Sequence, residues 1–324
     1  MPSYELTACP VCGADGATAI ADGDDIRAEM EELWEFHTSR LRPDTPAPRL
    51  VDRVAFSQRP PLHLVQCAEC GLVYRNPRER DFELRDVYAG EEPGAETLAA
   101  LHDTQRAAYG EQVARLGEVA GRAGRVLEVG SYVGGFLAAA AAAGWRAEGV
   151  DVNAAANRFA RERGLVVHDG DLDSYAGAGE LDAVAIWNCF DQLADPGAAA
   201  HRAHDLLADG GVLAVRVPNG AFYARLRERT HGPTAPVARL LLAHNNLLGF
   251  PYRHGFTVGS LERLLERTGF TVERVHGDAL VPIADEWTRG WAAAEERALK
   301  AAVRLVARGE AAAAPWIEVY GRKG

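Results

Sequence analysis

Four cysteines stand in two pairs, Cys9-Pro-Val-Cys12-Gly13 and Cys67-Ala-Glu-Cys70-Gly71. A Cys-x-x-Cys-Gly run makes a tight turn that brings two thiolates together, and two such turns supply the four soft ligands of a tetrahedral zinc ion. Two disulfides would need an oxidising compartment. Redox dithiols are usually single and sit beside a thioredoxin-like βαβ pattern that this sequence lacks. The doubled knuckle points to structural zinc on Cys9, Cys12, Cys67 and Cys70, a closed site with no coordination position left for a substrate. Cys189 stands alone and reads as a small buried residue.

A second constellation begins at Glu128-Val-Gly130-Ser-Tyr132-Val-Gly134-Gly135. Its glycines permit a sharp turn and a close backbone approach to a ligand, and the helix expected after them offers free N–H groups to a carboxylate or phosphate. Asp151 follows about twenty residues later, where an acidic side chain can accept hydrogen bonds from both hydroxyls of a ribose. Both features suit a nicotinamide dinucleotide as well as an adenosyl ligand. Gly170-Asp171-Leu172 adds a carboxylate able to accept from the exocyclic amine of an adenine, and Trp187-Asn188-Cys189-Phe190-Asp191-Gln192 ends another apolar run. The connection 218–256 contains His231, His244-Asn245-Asn246 and Pro251-Tyr-Arg-His-Gly-Phe256, and long polar and aromatic connections often form lids or binding loops. Within it, His254 is the first candidate for a general base and His244 the second, with Tyr252 and Arg253 placed to orient a substrate.

The elements that position these groups follow from periodicity. Ile26, Met30, Leu33, Trp34 and Leu41 recur at helical spacing after the caps Asp22 and Asp24, and Pro43, Pro46 and Pro48 end that helix. This helical insertion accounts for the long separation of the knuckles. Strands over 62–66 and 72–74 form a hairpin turned by the second knuckle. A polar connection over 75–94 then divides the chain into a zinc-ribbon-like module, 1–90, and a larger domain, 91–324. The larger domain reads as helix 96–119, strand 125–130, helix 136–143, and strands 146–151, 165–168, 181–187 and 211–217, with helices between them that include 198–207. Helix 260–268, strand 270–275, helix 292–306 and strand 316–320 complete it. This alternation predicts an α/β, doubly wound sheet, mostly parallel with an antiparallel last strand, whose ligands lie at the carboxyl ends of its strands.

In order and spacing, these motifs resemble the class I S-adenosylmethionine (SAM)-dependent methyltransferases over about residues 95–324. They are similar in particular to a bacterial subgroup in which a Cys-x-x-Cys-Gly-Leu-Val-Tyr-x-Asn-Pro segment, here Cys67 to Pro77, precedes the methyltransferase domain. The resemblance implies a Rossmann-like methyltransferase sheet and SAM as cofactor. It places Glu128, Gly130 and Gly134 at the methionine part of SAM, Asp151 at the ribose, Asp171 on the adenine side and Asn188 near the methionyl group. Arg106, on the helix before the sheet, would pair with the cofactor carboxylate; its alternative is a solvated helix-face arginine. Two residues depart from the family pattern. Tyr132 occupies the middle glycine of the turn, so that its ring covers the cofactor or the loop sits differently. Gln192 stands where a His is common, which removes an acid–base group.

Composition narrows the function classes. The chain has 324 residues and a net charge of −11, which disfavours a nucleic-acid polyanion as partner. The leading expectation is methyl transfer to a small-molecule acceptor through an O, N or C nucleophile, in specialised metabolism or sugar tailoring. The alternatives are an RNA-directed methyltransferase that binds through the zinc module, a non-catalytic binding or scaffold protein on a SAM fold, and a nicotinamide oxidoreductase, which leaves the cysteines unexplained. Without a run of about 18 apolar residues no membrane span is expected, and Met-Pro-Ser-Tyr-Glu-Leu lacks the character of a secretory leader, so the expected location is cytoplasmic.

Overall fold

The computed structural model describes residues 4–46, 63–79, 88–90, 93–249, 253–280, 285–307 and 309–324. The chain begins with β1 (Tyr4–Glu5), β2 (Ala17–Asp22), α1 (Gly23–Arg40), β3 (His63–Cys67), β4 (Val73–Arg75) and β5 (Arg78–Glu79). Next come α2 (Ala95–Ala108), α3 (Gly110–Ala120), β6 (Arg125–Val129), α4 (Gly135–Ala142), β7 (Arg146–Asp151), α5 (Ala154–Glu162), β8 (Val166–Asp169) and β9 (Leu181–Trp187). The remainder is α6 (Pro196–Leu206), β10 (Leu207–Pro218), α7 (Gly220–Arg227), α8 (Ala235–His244), β11 (His254–Gly255), α9 (Val258–Arg267), β12 (Phe270–Asp278), α10 (Gly290–Ala307) and β13 (Trp316–Lys323). Among the described residues no helix is long and apolar enough to cross a membrane.

Two compact units result, each built from separate stretches of chain. One comprises Phe82–Val217, Leu261–Val275 and Glu318–Gly324, the other Met1–Asp81, Pro218–Ser260 and His276–Ile317. These units do not follow the linear boundary expected at residue 90.

The first unit is organised by a seven-stranded sheet of order β12-β13-β10-β9-β6-β7-β8. Strands β10, β9, β6, β7 and β8 pair in parallel. Their apolar runs suit strands covered on both faces, and Val126, Ala183, Ala185, Val212 and Ala214 join Phe136 and Leu137 in one core. The chain winds outward from β6 through β7 to β8, then crosses back to β9 beside β6. That reversal opens a crevice at the carboxyl ends of β6 and β9, the place where open α/β sheets bind ligands. The single helix expected over 96–119 is two, broken at Tyr109, where Gly110, a poor helix former, begins α3.

In the second unit, β2 and β3 pair antiparallel with Ala17 opposite Cys67, and β3 pairs with β4 with Val65 opposite Tyr74. The hairpin around the second knuckle is therefore present. Helix α1 starts at Asp22, whose carboxylate accepts the N–H groups of Asp24 and Asp25, while the Asp25 side chain accepts the Asp22 N–H. The segment 218–249, expected as part of a lid or loop, instead forms α7 and α8. Phe222, Tyr223, Leu226, Leu242 and Leu247 pack from it onto Ile26, Leu33 and Leu64. Buried Glu29 fixes this packing by accepting from Tyr223 Oη (3.0 Å), Arg227 Nε (2.9 Å) and the Gly249 N–H (3.1 Å). Strand β11 then adds to β4, with His254 opposite Tyr74. These contacts explain why residues far along the chain fold with the cysteine-bearing segment.

Candidate cofactor and metal sites

At the end of β6 the chain turns at Gly130, whose φ of +73° lies in the left-handed region. A Cβ there would also stand 2.9 Å from Cys189 Sγ, so both backbone and space require glycine. Gly134 (φ +71°) closes the turn, and a Cβ on it would meet Leu165 Cδ1 at 2.5 Å. Between them Tyr132 adopts φ +43°, a left-handed conformation that costs a side-chain-bearing residue roughly 1 kcal/mol. Its N–H donates to Asp151 Oδ2 (2.8 Å), which holds the turn in the shape a glycine would give. The half-buried Tyr132 ring packs against the cluster of Leu98, Val133, Ala156 and Phe159.

Asp151 ends β7 and is 8% exposed. Its second oxygen accepts the Asn153 N–H (2.8 Å). Burial pushes its carboxyl up, and the backbone donors of Asn153 and Tyr132 pull it back. Glu128 is also buried; burial and then the Asp151 charge push it well above the ordinary carboxylate range. Among the described residues Glu128 Oε2, Ser131 Oγ, Trp187 Nε1 and both carboxyl oxygens of Asp191 are buried without a hydrogen-bond partner. Buried polar atoms are nearly always paired, so these groups are held at the strand ends at a cost in stability.

Asn188, just beyond β9, takes φ +60°. Its Oδ1 accepts from Arg216 Nη1, its Nδ2 donates to Tyr109 Oη (3.4 Å), and its N–H donates to the Arg216 carbonyl (3.0 Å). Arg216 is itself buried 3.6 Å from Glu318, which also accepts from Gln112 (2.8 Å) and Tyr320 (3.0 Å). Gln192 donates from Nε2 to the Asn188 carbonyl (3.0 Å), so it closes the turn after β9 where an acid–base His is common. Asp171 is half-buried in the turn after β8 and accepts the Ser174 N–H (3.1 Å). Arg106 is exposed on α2. A Cβ on Gly135 would lie 3.0 Å from the Arg106 backbone nitrogen, which sets α2 directly against the start of α4.

The second unit gathers the other constellation. The Sγ atoms of Cys9, Cys12, Cys67 and Cys70 all lie within 4.8 Å of one another, with Cys9 to Cys70 and Cys12 to Cys67 at 3.5 Å. Zinc–sulfur bonds of about 2.3 Å place tetrahedral sulfurs about 3.8 Å apart, so the donor set fits such an ion, whereas a disulfide needs about 2 Å. Each knuckle closes in the same way. Gly13 N–H donates to the Cys9 carbonyl (2.8 Å) and Gly71 N–H to the Cys67 carbonyl (3.0 Å), with both glycines at φ +74°.

A family model described as a methyltransferase domain matches residues 101–275, more than half of the chain. The chain belongs to the methyltransferase family. It is a SAM-dependent methyltransferase, which sets aside the nicotinamide reading. No curated protein matches the sequence. Solved structures similar to it include a SAM-dependent methyltransferase from Thermotoga maritima, at 18% identity and a TM-score of 0.41, covering 62% of this chain and 82% of that one. Another, from Mesorhizobium loti, has 18% identity and a TM-score of 0.42, covering 61% and 90%. The complex between the Haloferax volcanii Trm112 methyltransferase activator and a methyltransferase has 15% identity and a TM-score of 0.45, covering 75% and 99%.

The methyltransferase brings Glu128, Gly130, Tyr132, Gly134, Asp151 and Asn188 together in the unit that holds the seven-stranded sheet. The residues singled out as general bases belong to the other unit. His254 is 4% exposed in β11, a paired strand and not a loop, with its ring 5.9 Å from that of Phe256. His244 ends α8, with Nε2 2.9 Å from Glu295 Oε1 and its ring 4.8 Å edge-on from Phe36. Burial pushes His244 down, and Glu295 opposes that shift. Tyr252 lies outside the described residues. Tyr109, Arg216, Glu318 and the burial of Asp191 escaped the reading of the sequence. Only the apolar neighbours of Arg216 hinted at a buried charge.

Proposed function

We propose that this methyltransferase transfers a methyl group from SAM to a small-molecule acceptor, in specialised metabolism or sugar tailoring, and carries a structural zinc ion. The observation behind the cofactor placement is the Asp151 carboxylate, which is fixed by two backbone N–H groups at the end of β7 and keeps lone pairs for two ribose hydroxyls. Glu128, with an unpartnered buried oxygen, receives the ammonium end of the amino-acid part. Gly130, Tyr132 and Gly134 bring backbone close to the same part, and Asn188 lies beside it. Asp171 takes the adenine side, and Arg106 reaches the cofactor carboxylate from α2.

When bound, SAM would supply an electrophilic methyl group on its sulfonium to an O, N or C nucleophile, with the C–S bond pair leaving on S-adenosylhomocysteine. The chain's share of the work is alignment and exclusion of water, together with a base when the acceptor must lose a proton. His254 is the first candidate for that base, His244 with its ring held by Glu295 the second, and Tyr252 an orienting group. Cys9, Cys12, Cys67 and Cys70 would hold zinc, which ties the knuckles together and leaves no position for chemistry. A cytoplasmic location agrees with these thiols remaining reduced.

The net charge of −11 supports a small acceptor over RNA. The test offers methyl-labelled SAM and the zinc-loaded protein to a pool of small metabolites and, separately, to total RNA. Label in small products is expected. Label confined to RNA would overturn the proposal.

A further inference from the structure

Arg216 is a cation held inside the seven-stranded sheet. It lies near the end of β10, opposite Trp187 of β9, and is 4% exposed. Glu318 on β13, itself fully buried, stands 3.6 Å from its Nε and also meets Arg115 Nε (3.0 Å), Gln112 Nε2 (2.8 Å) and Tyr320 Oη (3.0 Å). Apolar residues of the same size commonly replace a buried ion pair with no loss of stability, so stability alone does not account for this one.

Two anchors run from Arg216 to Asn188, the residue just beyond β9. The Arg216 carbonyl accepts the Asn188 N–H (3.0 Å), and Nη1 donates to Asn188 Oδ1. A guanidinium has donors only, so the oxygen of the Asn188 amide must face it and the NH2 must face away. Asn188 Nδ2 meets Tyr109 Oη (3.4 Å). An amide nitrogen can only donate there, so Tyr109 Oη accepts and its own proton points elsewhere. Burial and then the nearby Glu128 carboxyl hold the Tyr109 phenol above its ordinary range, so that proton is present at neutral pH. The Tyr109 ring is fixed edge-on to Phe136, with centroids 5.6 Å apart. One polarity therefore runs from Arg216 through Asn188 to Tyr109, each group donating to the next. With the amide reversed, its NH2 would face the guanidinium and its oxygen would take the Tyr109 proton. This end of the sheet is open: Gly130 is exposed, and Asn188 and Tyr109 are half-buried.

We propose that Arg216 is a positioning residue, which fixes the Asn188 amide so that Asn188 and Tyr109 are hydrogen-bond donors to the carboxylate of the cofactor's amino-acid part. This rests on the reading of this unit as the SAM site. An α-amino acid carries its ammonium and its carboxylate on one carbon, and the site sets an acceptor, Glu128, near a donor, Tyr109. Arg216 stands behind Asn188 and acts through it.

The test is titration calorimetry of S-adenosylhomocysteine, and of methylthioadenosine, which lacks the amino-acid part, into the zinc-loaded full chain. Arg216→Met keeps the backbone bond to Asn188 and removes only the guanidinium. It should weaken S-adenosylhomocysteine by about tenfold or more and leave methylthioadenosine within about twofold of wild type. Tyr109→Phe should do the same, and the double variant should lose little beyond the larger single loss, because both changes break one chain of bonds. Should Arg216→Met fail to fold with Glu318 short of a partner, Arg216→Met combined with Glu318→Gln removes both charges of the pair and carries the same expectations. Undiminished affinity of the Arg216 variant for S-adenosylhomocysteine would overturn the inference. So would an equal loss for both ligands, the mark of a merely structural residue, or losses that add in the double variant. Failure of the wild type to bind either ligand would instead overturn the cofactor site itself, and the inference with it.

Discussion

Replacing Asp191 by Asn should stabilise the protein in a pH-dependent way. The Asp191 carboxyl titrates near 3.8 in an unfolded chain and is pushed up to about 8 when buried. The folded state therefore binds this proton more tightly than the unfolded state, and stability falls as pH rises from about 4 to about 8, then levels off. The span is about four pH units, and at about 1.4 kcal/mol per unit the ionised carboxylate costs up to about 5 kcal/mol of folding free energy at pH 8 and above. That figure is an upper limit, because an unpaired buried charge draws in water and relaxes its surroundings. Asn has nearly the same shape and no proton to lose. Urea denaturation followed by circular dichroism from about pH 4 to pH 9 should give superimposable midpoints at the acid end and a growing advantage for Asp191→Asn toward pH 8. The Glu128 titration runs in both proteins and cancels in the difference. A variant no more stable than wild type at pH 8 would refute the claim that Asp191 is buried without a partner. Stability held back at a ligand site is the usual cost of preparing one.

Asp151→Ala should strand the Tyr132 and Asn153 N–H groups, lowering stability by about 2–5 kcal/mol in thermal melts and abolishing SAM binding. Unchanged melting would refute the assignment of those bonds. Elemental analysis should find one zinc per chain, and Cys67→Ser or a strong chelator should lower the melting midpoint and speed amide exchange in β2, β3 and β4; retention of both properties without metal would contradict a structural zinc. His254→Ala should reduce turnover by about 100-fold or more with SAM affinity preserved, and near-normal turnover would remove His254 from the reaction. Gly130→Ala, with its left-handed backbone and the 2.9 Å approach to Cys189 Sγ, should lose about 1–3 kcal/mol in the same melts together with SAM affinity.

The cofactor unit was legible where sequence and burial obey one rule. The apolar runs of β6, β9 and β10 read as buried parallel strands, and the glycines and Asp151 follow at the strand ends. The cysteine pairs were equally plain, because metal-ligand spacing is local. Legibility failed where a contact depends on distant chain. Nothing in His254-Gly255 announces a strand until β4 offers its edge. The helices α7 and α8 were obscured by the His and Asn residues at their borders, although Phe222, Leu226 and Leu242 carried the apolar face that packs on α1. The division at residue 90 rested on a polar connection, whereas the compact units are decided by the long-range packing of Glu29 with Tyr223, Arg227 and Gly249. Asp191 was visible in the sequence, but a carboxylate is ordinarily placed at the surface and its burial is a tertiary fact.

The claim at the centre of this account is that SAM is held by the glycine turn and Asp151. Titration of S-adenosylhomocysteine into the zinc-loaded wild type and into Asp151→Ala measures it most directly. One molecule bound per chain in the wild type, and none detectable in a folded Asp151→Ala, is the predicted result. Absence of binding in the wild type, or equal affinity in the two proteins, would contradict it.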